Sequence, residues 1–146
     1  MNNKWIGIAS DHAGYLLKQA IKSFLEENGY EVKDYGTFSD ERTDYPDFGH
    51  ALGNAIDTGE CIEAIAICGS GNGINMTLNK HKKVRAALCW NEEIAVLARE
   101  HNDANVCTLP GRFISINEAT KIIKTFLNTD FESGRHSARV QKIPIK

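Results

Sequence analysis

The chain has 146 residues, 42% hydrophobic and 25% charged, a balance that fits one folded domain and argues against a disordered or membrane-embedded class. A formal net charge of -2 leaves no basic excess for a nucleic-acid backbone, so any anion site has to be local. Cys61, Cys68, Cys89 and Cys107 form no C-x-x-C pair and the start MNNKWIGIAS lacks the apolar stretch of a secretory signal, which predicts reduced thiols, a cytoplasmic setting and no disulfide framework.

Short apolar runs alternate with helix-period segments along the chain, the pattern of β-α units feeding a parallel sheet. Lys4 to Ala9 reads as the first strand and breaks into the polar turn Ser10-Asp11-His12-Ala13-Gly14. A helix follows, with Leu16, Leu17, Ala20, Ile21, Phe24 and Leu25 on one face and Gly29 as its cap. Tyr30 to Tyr35 reads as the second strand, and the stretch from Gly36 to Pro46 as a long irregular connection of the kind that is often functional. Asp47 to Ile56 has helical spacing, with Phe48, Ala51, Leu52 and Ala55 inward and Gly59 beyond its end.

Glu63 to Cys68 reads as a buried third strand that runs into Gly69-Ser70-Gly71-Asn72-Gly73 and a helix from Ile74. Val84 to Cys89 is the fourth strand, Glu92 to Glu100 a helix, and Val106 to Leu109 the fifth strand. Ser115, with Glu118 three residues on, predicts a capping box for a last helix whose stripe is Ile116, Ala119, Ile122, Ile123, Phe126 and Leu127. Beyond Asn128 the chain is polar and basic without a period, which predicts an extended arm.

Parallel sheets of this kind place ligands outside the carboxyl ends of their strands. Three loops are expected to gather there: Ser10 to Gly14, Gly69 to Gly73, and the stretch around His101 that precedes the fifth strand. A glycine-rich turn between strand and helix offers backbone N–H groups to an anion. The spacing is neither G-x-G-x-x-G nor a Walker loop, which disfavours dinucleotides and nucleoside triphosphates, and a tight turn needing positive φ accounts for the same glycines. Cys68 immediately precedes this turn, where a thiolate is favoured, although a packing cysteine is the plainer reading of that position alone. His12 and His101 lie in loops beside Asp11 and Asn102 and suit acid-base work, or are simply exposed loop histidines. Arg135, His136 and Arg139 could grip a phosphate, or form a solvated tail. No spacing of His, Cys and carboxylates suggests a metal site.

Taken together, Ser10-Asp11-His12-Ala13-Gly14, Glu41-Arg42-Thr43-Asp44-Tyr45-Pro46, Cys68-Gly69-Ser70-Gly71-Asn72-Gly73, Asn79-Lys80, Val84-Arg85-Ala86, His101-Asn102-Asp103-Ala104-Asn105 and Gly134-Arg135-His136 resemble the type B ribose-5-phosphate isomerases over nearly the whole chain. The resemblance implies a single domain over residues 1–146, a Rossmann-like three-layer α/β/α sandwich with a five-stranded parallel sheet, and a C-terminal arm over residues 129–146 at a subunit interface. It implies interconversion of D-ribose 5-phosphate and D-ribulose 5-phosphate through a cis-enediolate, without metal or other cofactor. Cys68 matches the proton-transferring base, and Ile74 stands where some members carry a Glu instead.

Ser70 and the Gly71, Asn72 and Gly73 amides match an anion hole for the enediolate, with Gly69 beside them. His101 matches the ring opener, helped by Asp11 and Asn102; Arg135 and Arg139 match phosphate ligands, with His12, His136 and Arg112; Tyr45 matches a position near the sugar. The resemblance also implies a homodimer or homotetramer with shared sites, and no nucleic-acid or membrane partner. The alternatives are an isomerase of a six-carbon sugar phosphate, such as allose or galactose 6-phosphate, and a non-catalytic flavodoxin-like binding module.

Overall fold

Strict alternation along one strand decides how the layers form. The computed structural model describes residues 5–146. In it β3 (Cys61–Cys68) turns Ile65 and Ile67 toward one core and Ala64, Ala66 and Cys68 toward another, all of them buried. The first core is roofed by α1 (Tyr15–Glu27), α4 (Glu92–Glu100) and α5 (Ile116–Leu127), the second by α2 (Tyr45–Asp57) and α3 (Asn72–Leu78). The result is the expected three-layer α/β/α sandwich.

The sheet has five parallel strands in the order β2-β1-β3-β5-β4, with β1 (Trp5–Ser10), β2 (Val32–Asp34), β4 (Ala86–Leu88) and β5 (Val106–Pro110) joining β3. After β2 the chain returns past β1 to lay down β3 on its other side, so the strand order reverses between β1 and β3. A crevice opens at such a reversal, at the carboxyl ends of the two strands. Pairing of Ser10 with Ile67 and of Cys68 with Pro110 brings the ends of β1, β3 and β5 to one level.

The local signals mostly hold. Ser115 and Glu118 form the capping box, and Gly29 and Gly59 take positive φ just past α1 and α2. Four differences have physical causes. Lys4, read as strand, lies outside the described residues, while Ser10 is the last residue of β1 because its amide bonds to the Gly36 carbonyl at 2.7 Å. Leu16, read as inward, is 74% exposed, since α1 turns Leu17, Ile21 and Leu25 to the sheet. α2 begins at Tyr45, with Pro46 in its first turn, where a proline's missing N–H costs nothing.

The fourth difference is the arm: residues 135–140 form α6 (Arg135–Val140) rather than extended chain, with His136 buried. The segment's short length and lone buried residue explain why no apolar period announced it. All four cysteines are free and buried. Among the described residues no helix is long and apolar enough to cross a membrane.

Candidate active site

The crevice at the strand reversal is a cleft of about 790 Å³ lined by Asp11, His12, Ala13, Asp40, Arg42, Tyr45, Cys68, Gly69, Ser70, Gly73 and Arg112. Its floor is the end of β3. Cys68 is 4% exposed, its carbonyl accepts from the Gly111 amide at 2.9 Å, and the Gly69 carbonyl accepts from the Arg112 amide at 3.0 Å, which clamps the glycine loop to the end of β5. Gly71 turns the chain into α3 at φ +80, a backbone conformation that L side chains rarely adopt. Ser70 Oγ accepts from the Asn72 amide at 3.2 Å, and Thr77 Oγ1 donates to the Gly73 carbonyl at 2.9 Å.

Two side chains cover this loop. A Cβ on Gly73 would lie 2.5 Å from Tyr45 Cζ, so the Tyr45 ring rests on bare backbone, and the Arg112 side chain passes over Gly69 at ordinary contact distance. The opposite wall comes from the turn after β1. Asp11 Oδ1 accepts from the Gly14 amide at 3.2 Å, and the His12 amide donates to Thr43 Oγ1 at 3.0 Å. His12 Nδ1 lies 3.2 Å from both the amide nitrogen and the carbonyl oxygen of Thr43. The ring is therefore tethered at Nδ1, and Nε2 is left to the cleft. A thiol, two carboxylates, an imidazole and two guanidinium groups thus face one space, suited to moving a proton on an anionic substrate.

His101, Asn102, Arg135, His136 and Arg139 do not line this cleft. The expectation that the His101 loop gathers at the carboxyl ends is corrected by topology: in an all-parallel sheet, a loop that precedes β5 stands at the amino end. The five residues of β5, at about 3.3 Å each, put roughly 16 Å of strand between that loop and the Cys68 level. There His101 and His136 stack, with ring centroids 4.2 Å apart and 14° between planes, and the Glu132 amide donates to the Glu100 carbonyl at 3.1 Å. Burial pushes the His136 imidazole down from its ordinary pKa, with His101 and Arg135 adding to the effect. Arg135 and Arg139, four apart on α6, are exposed.

One chain therefore carries two groups of candidate residues at opposite ends of its sheet. Asp40 and Arg42, which line the cleft, received no role from the sequence; the length of the Gly36–Pro46 connection was the signal that could have found them. Burial raises the Cys61 thiol to about 11, and raises that of Cys107 as well, which leaves neither suited to act as a base.

Residues 6–143 match the family described as Ribose/Galactose Isomerase. The chain is 41% identical over 140 residues to ribose-5-phosphate isomerase B of Escherichia coli, covering 96% of this chain and 94% of that one. A crystal structure of ribose 5-phosphate isomerase from Thermotoga maritima superposes with a TM-score of 0.95 at 43% identity, covering 98% and 99% of the two chains. A structure of ribose-5-phosphate isomerase B from Mycoplasma genitalium, with bound ribulose 5-phosphate, gives a TM-score of 0.93 at 41% identity over 98% and 95%.

Proposed function

The chain belongs to the ribose/galactose isomerase family, and we propose that it interconverts ribose 5-phosphate and ribulose 5-phosphate. The observation that carries this reading is the placement of Cys68 against the glycine loop in a cleft walled by Asp11, His12 and Arg112, in a chain similar to a protein with ribulose 5-phosphate bound.

In this reading Cys68, as thiolate, takes the proton from C2 of the open-chain aldose and returns it to C1, so a single base on one face serves both carbons of a cis-enediolate. Ser70 and the amides of Gly71, Asn72 and Gly73 hold the enediolate oxygen, doing electrostatically what a metal does in other isomerases. Ring opening needs one proton given to the ring oxygen and one taken from the anomeric hydroxyl; His101 and Asp11 divide these tasks, with Asn102 in support. Arg112 and His12 on the cleft side and Arg135, His136 and Arg139 on α6 hold the phosphate. Tyr45, on Gly73, borders the sugar.

The two groups stand at opposite ends of one sheet, so the reading requires a second copy whose segment 129–146 and His101 loop complete the cleft. Exposed Leu16, Trp90, Phe113 and Ile116 follow the ends of β1, β4 and β5 and rim that edge, apolar surface that a partner would cover. A single isomerase domain acting in the cytoplasm as a homo-oligomer is the resulting picture.

The test is turnover of ribose 5-phosphate after exhaustive chelation, with allose and galactose 6-phosphates alongside. Cys68→Ala should lower kcat by about 10²–10⁴-fold, the usual range for removal of a general base, while sugar phosphate still binds. Turnover of only the six-carbon sugars would transfer the mechanism to them, a reading for which the family's joint ribose and galactose description leaves room. Undiminished turnover by Cys68→Ala would remove the thiol from the mechanism.

A further inference from the structure

Farther along α2 from its Tyr45 end, His50, Gly53 and Asp57 follow at spacings that share one side of a helix, and His81, just past α3, packs onto that side. A Cβ at Gly53 would lie 2.4 Å from His81 Cδ2, so the absence of a side chain in the middle of α2, where glycine is disfavoured against alanine, is what admits the ring. His81 Nδ1 meets Asp57 Oδ2 at 3.0 Å, and the other carboxylate oxygen accepts from the Lys83 amide at 2.9 Å. The carboxylate thereby fixes the proton on His81 Nδ1 and leaves the lone pair on Nε2. That Nε2 lies 2.8 Å from His50 Nδ1, with the two rings tilted by 53°.

We propose that His50 and His81 form a two-imidazole site for a transition-metal dication of the Zn²⁺ class, with Asp57 as the residue that orients His81. The site goes beyond the isomerase reading and does not depend on it. Two ring nitrogens meet at hydrogen-bond distance, one of them on an imidazole held by a carboxylate in the manner of metal-bound histidines. Imidazole suits Zn²⁺, Cu²⁺ and Ni²⁺. Tetrahedral coordination at about 2.0–2.1 Å sets the nitrogens roughly 3.4 Å apart, so exposed His50 has to move out by about half an ångström and turn its ring so that Nδ1 points at the ion rather than at His81 Nε2. Its proton moves from Nδ1 to Nε2 as the metal takes its place, and solvent fills the remaining positions. The other cluster of possible ligands, His101, Glu132 and His136, brings its ligand atoms within 4.8 Å, but stacked rings aim their in-plane lone pairs along parallel planes rather than at one ion.

The test is calorimetric titration of the purified full chain with Zn²⁺ alone, comparing wild type with His50→Gln and Asp57→Asn, while ribose 5-phosphate turnover is followed separately in metal-free buffer. One Zn²⁺ per wild-type chain is expected. His50→Gln should weaken it at least about tenfold, and Asp57→Asn by about 10–100-fold as an orienting partner does. His50→Gln, at an exposed position outside the cleft, should turn over substrate as wild type does. Failure of wild type to take up Zn²⁺, or uptake that His50→Gln leaves unchanged in affinity and stoichiometry, overturns the proposal.

Discussion

The imidazoles of His101 and His136 lie nearly parallel with centroids 4.2 Å apart, joining the end of α4 to the buried side of α6. His136 Nε2 lies 3.4 Å from Glu132 Oε1 and makes no hydrogen bond among the described residues. Because burial and the neighbouring His101 hold the folded-state pKa of His136 below its ordinary value, the unfolded chain binds this proton more readily than the folded one. Its contribution is thus fully present above the unfolded value of about 6.5 and is lost as pH falls through that value toward the folded one. Urea unfolding between pH 5 and pH 8 should show stability rising with pH, and His136→Asn should flatten that rise. An unchanged slope in the variant would assign the effect to other groups.

Separation of Cys68 from His101 by the length of β5 makes a prediction about mixed assemblies. Chains with Cys68→Ala and chains with His101→Ala should each be nearly inactive. In the shared-cleft assembly proposed above, a pair made of one of each would hold one cleft with both residues intact. Random reassociation of equal amounts makes about half the pairs mixed, so roughly a quarter of wild-type turnover should return. Activity that stays at the level of the separate variants would mean that the two residues serve no common site.

Gly73→Ala tests the seat of Tyr45. The new methyl, 2.5 Å from Tyr45 Cζ, has to displace the ring from the loop proposed above to carry the anion hole. A misplacement of that size near reacting groups should cost about 10–100-fold in kcat/KM. If the damage is steric, Gly73→Ala combined with Tyr45→Ala should be no worse than Tyr45→Ala alone, and additive losses would show that the alanine harms the loop itself.

Lys18 is wholly buried and ion-paired with Asp34, whose Oδ1 accepts from the Gly36 amide at 2.8 Å. The pair therefore anchors the start of the connection that brings Asp40 and Arg42 to the cleft. Lys18→Met leaves a largely buried carboxylate without its main partner and should cost about 3–5 kcal/mol in urea unfolding, whereas Lys18→Met with Asp34→Leu should recover much of the loss. Equal destabilisation in both variants would show that packing, not charge, is what Lys18 contributes.

What the amino-acid order determined unaided was whatever depends on neighbours in the chain. The continuous apolar run Ile65-Ala66-Ile67-Cys68 marked the central strand, period 3.6 marked α1, α2 and α5, Ser115 with Glu118 marked a helix start, and the glycines after Cys68 marked the turn into α3. Recognition of several loop motifs in one order supplied the reaction. Strand order was decided only by tertiary packing, because strands pair through backbone groups that every residue shares. That order opened the cleft between β1 and β3, brought Asp40 and Arg42 into it, and sent His101 to the far end of the sheet. The bond from His50 to His81 is of the same kind: residues 31 positions apart meet only when α2 and α3 pack, and Gly53 is the space that lets them.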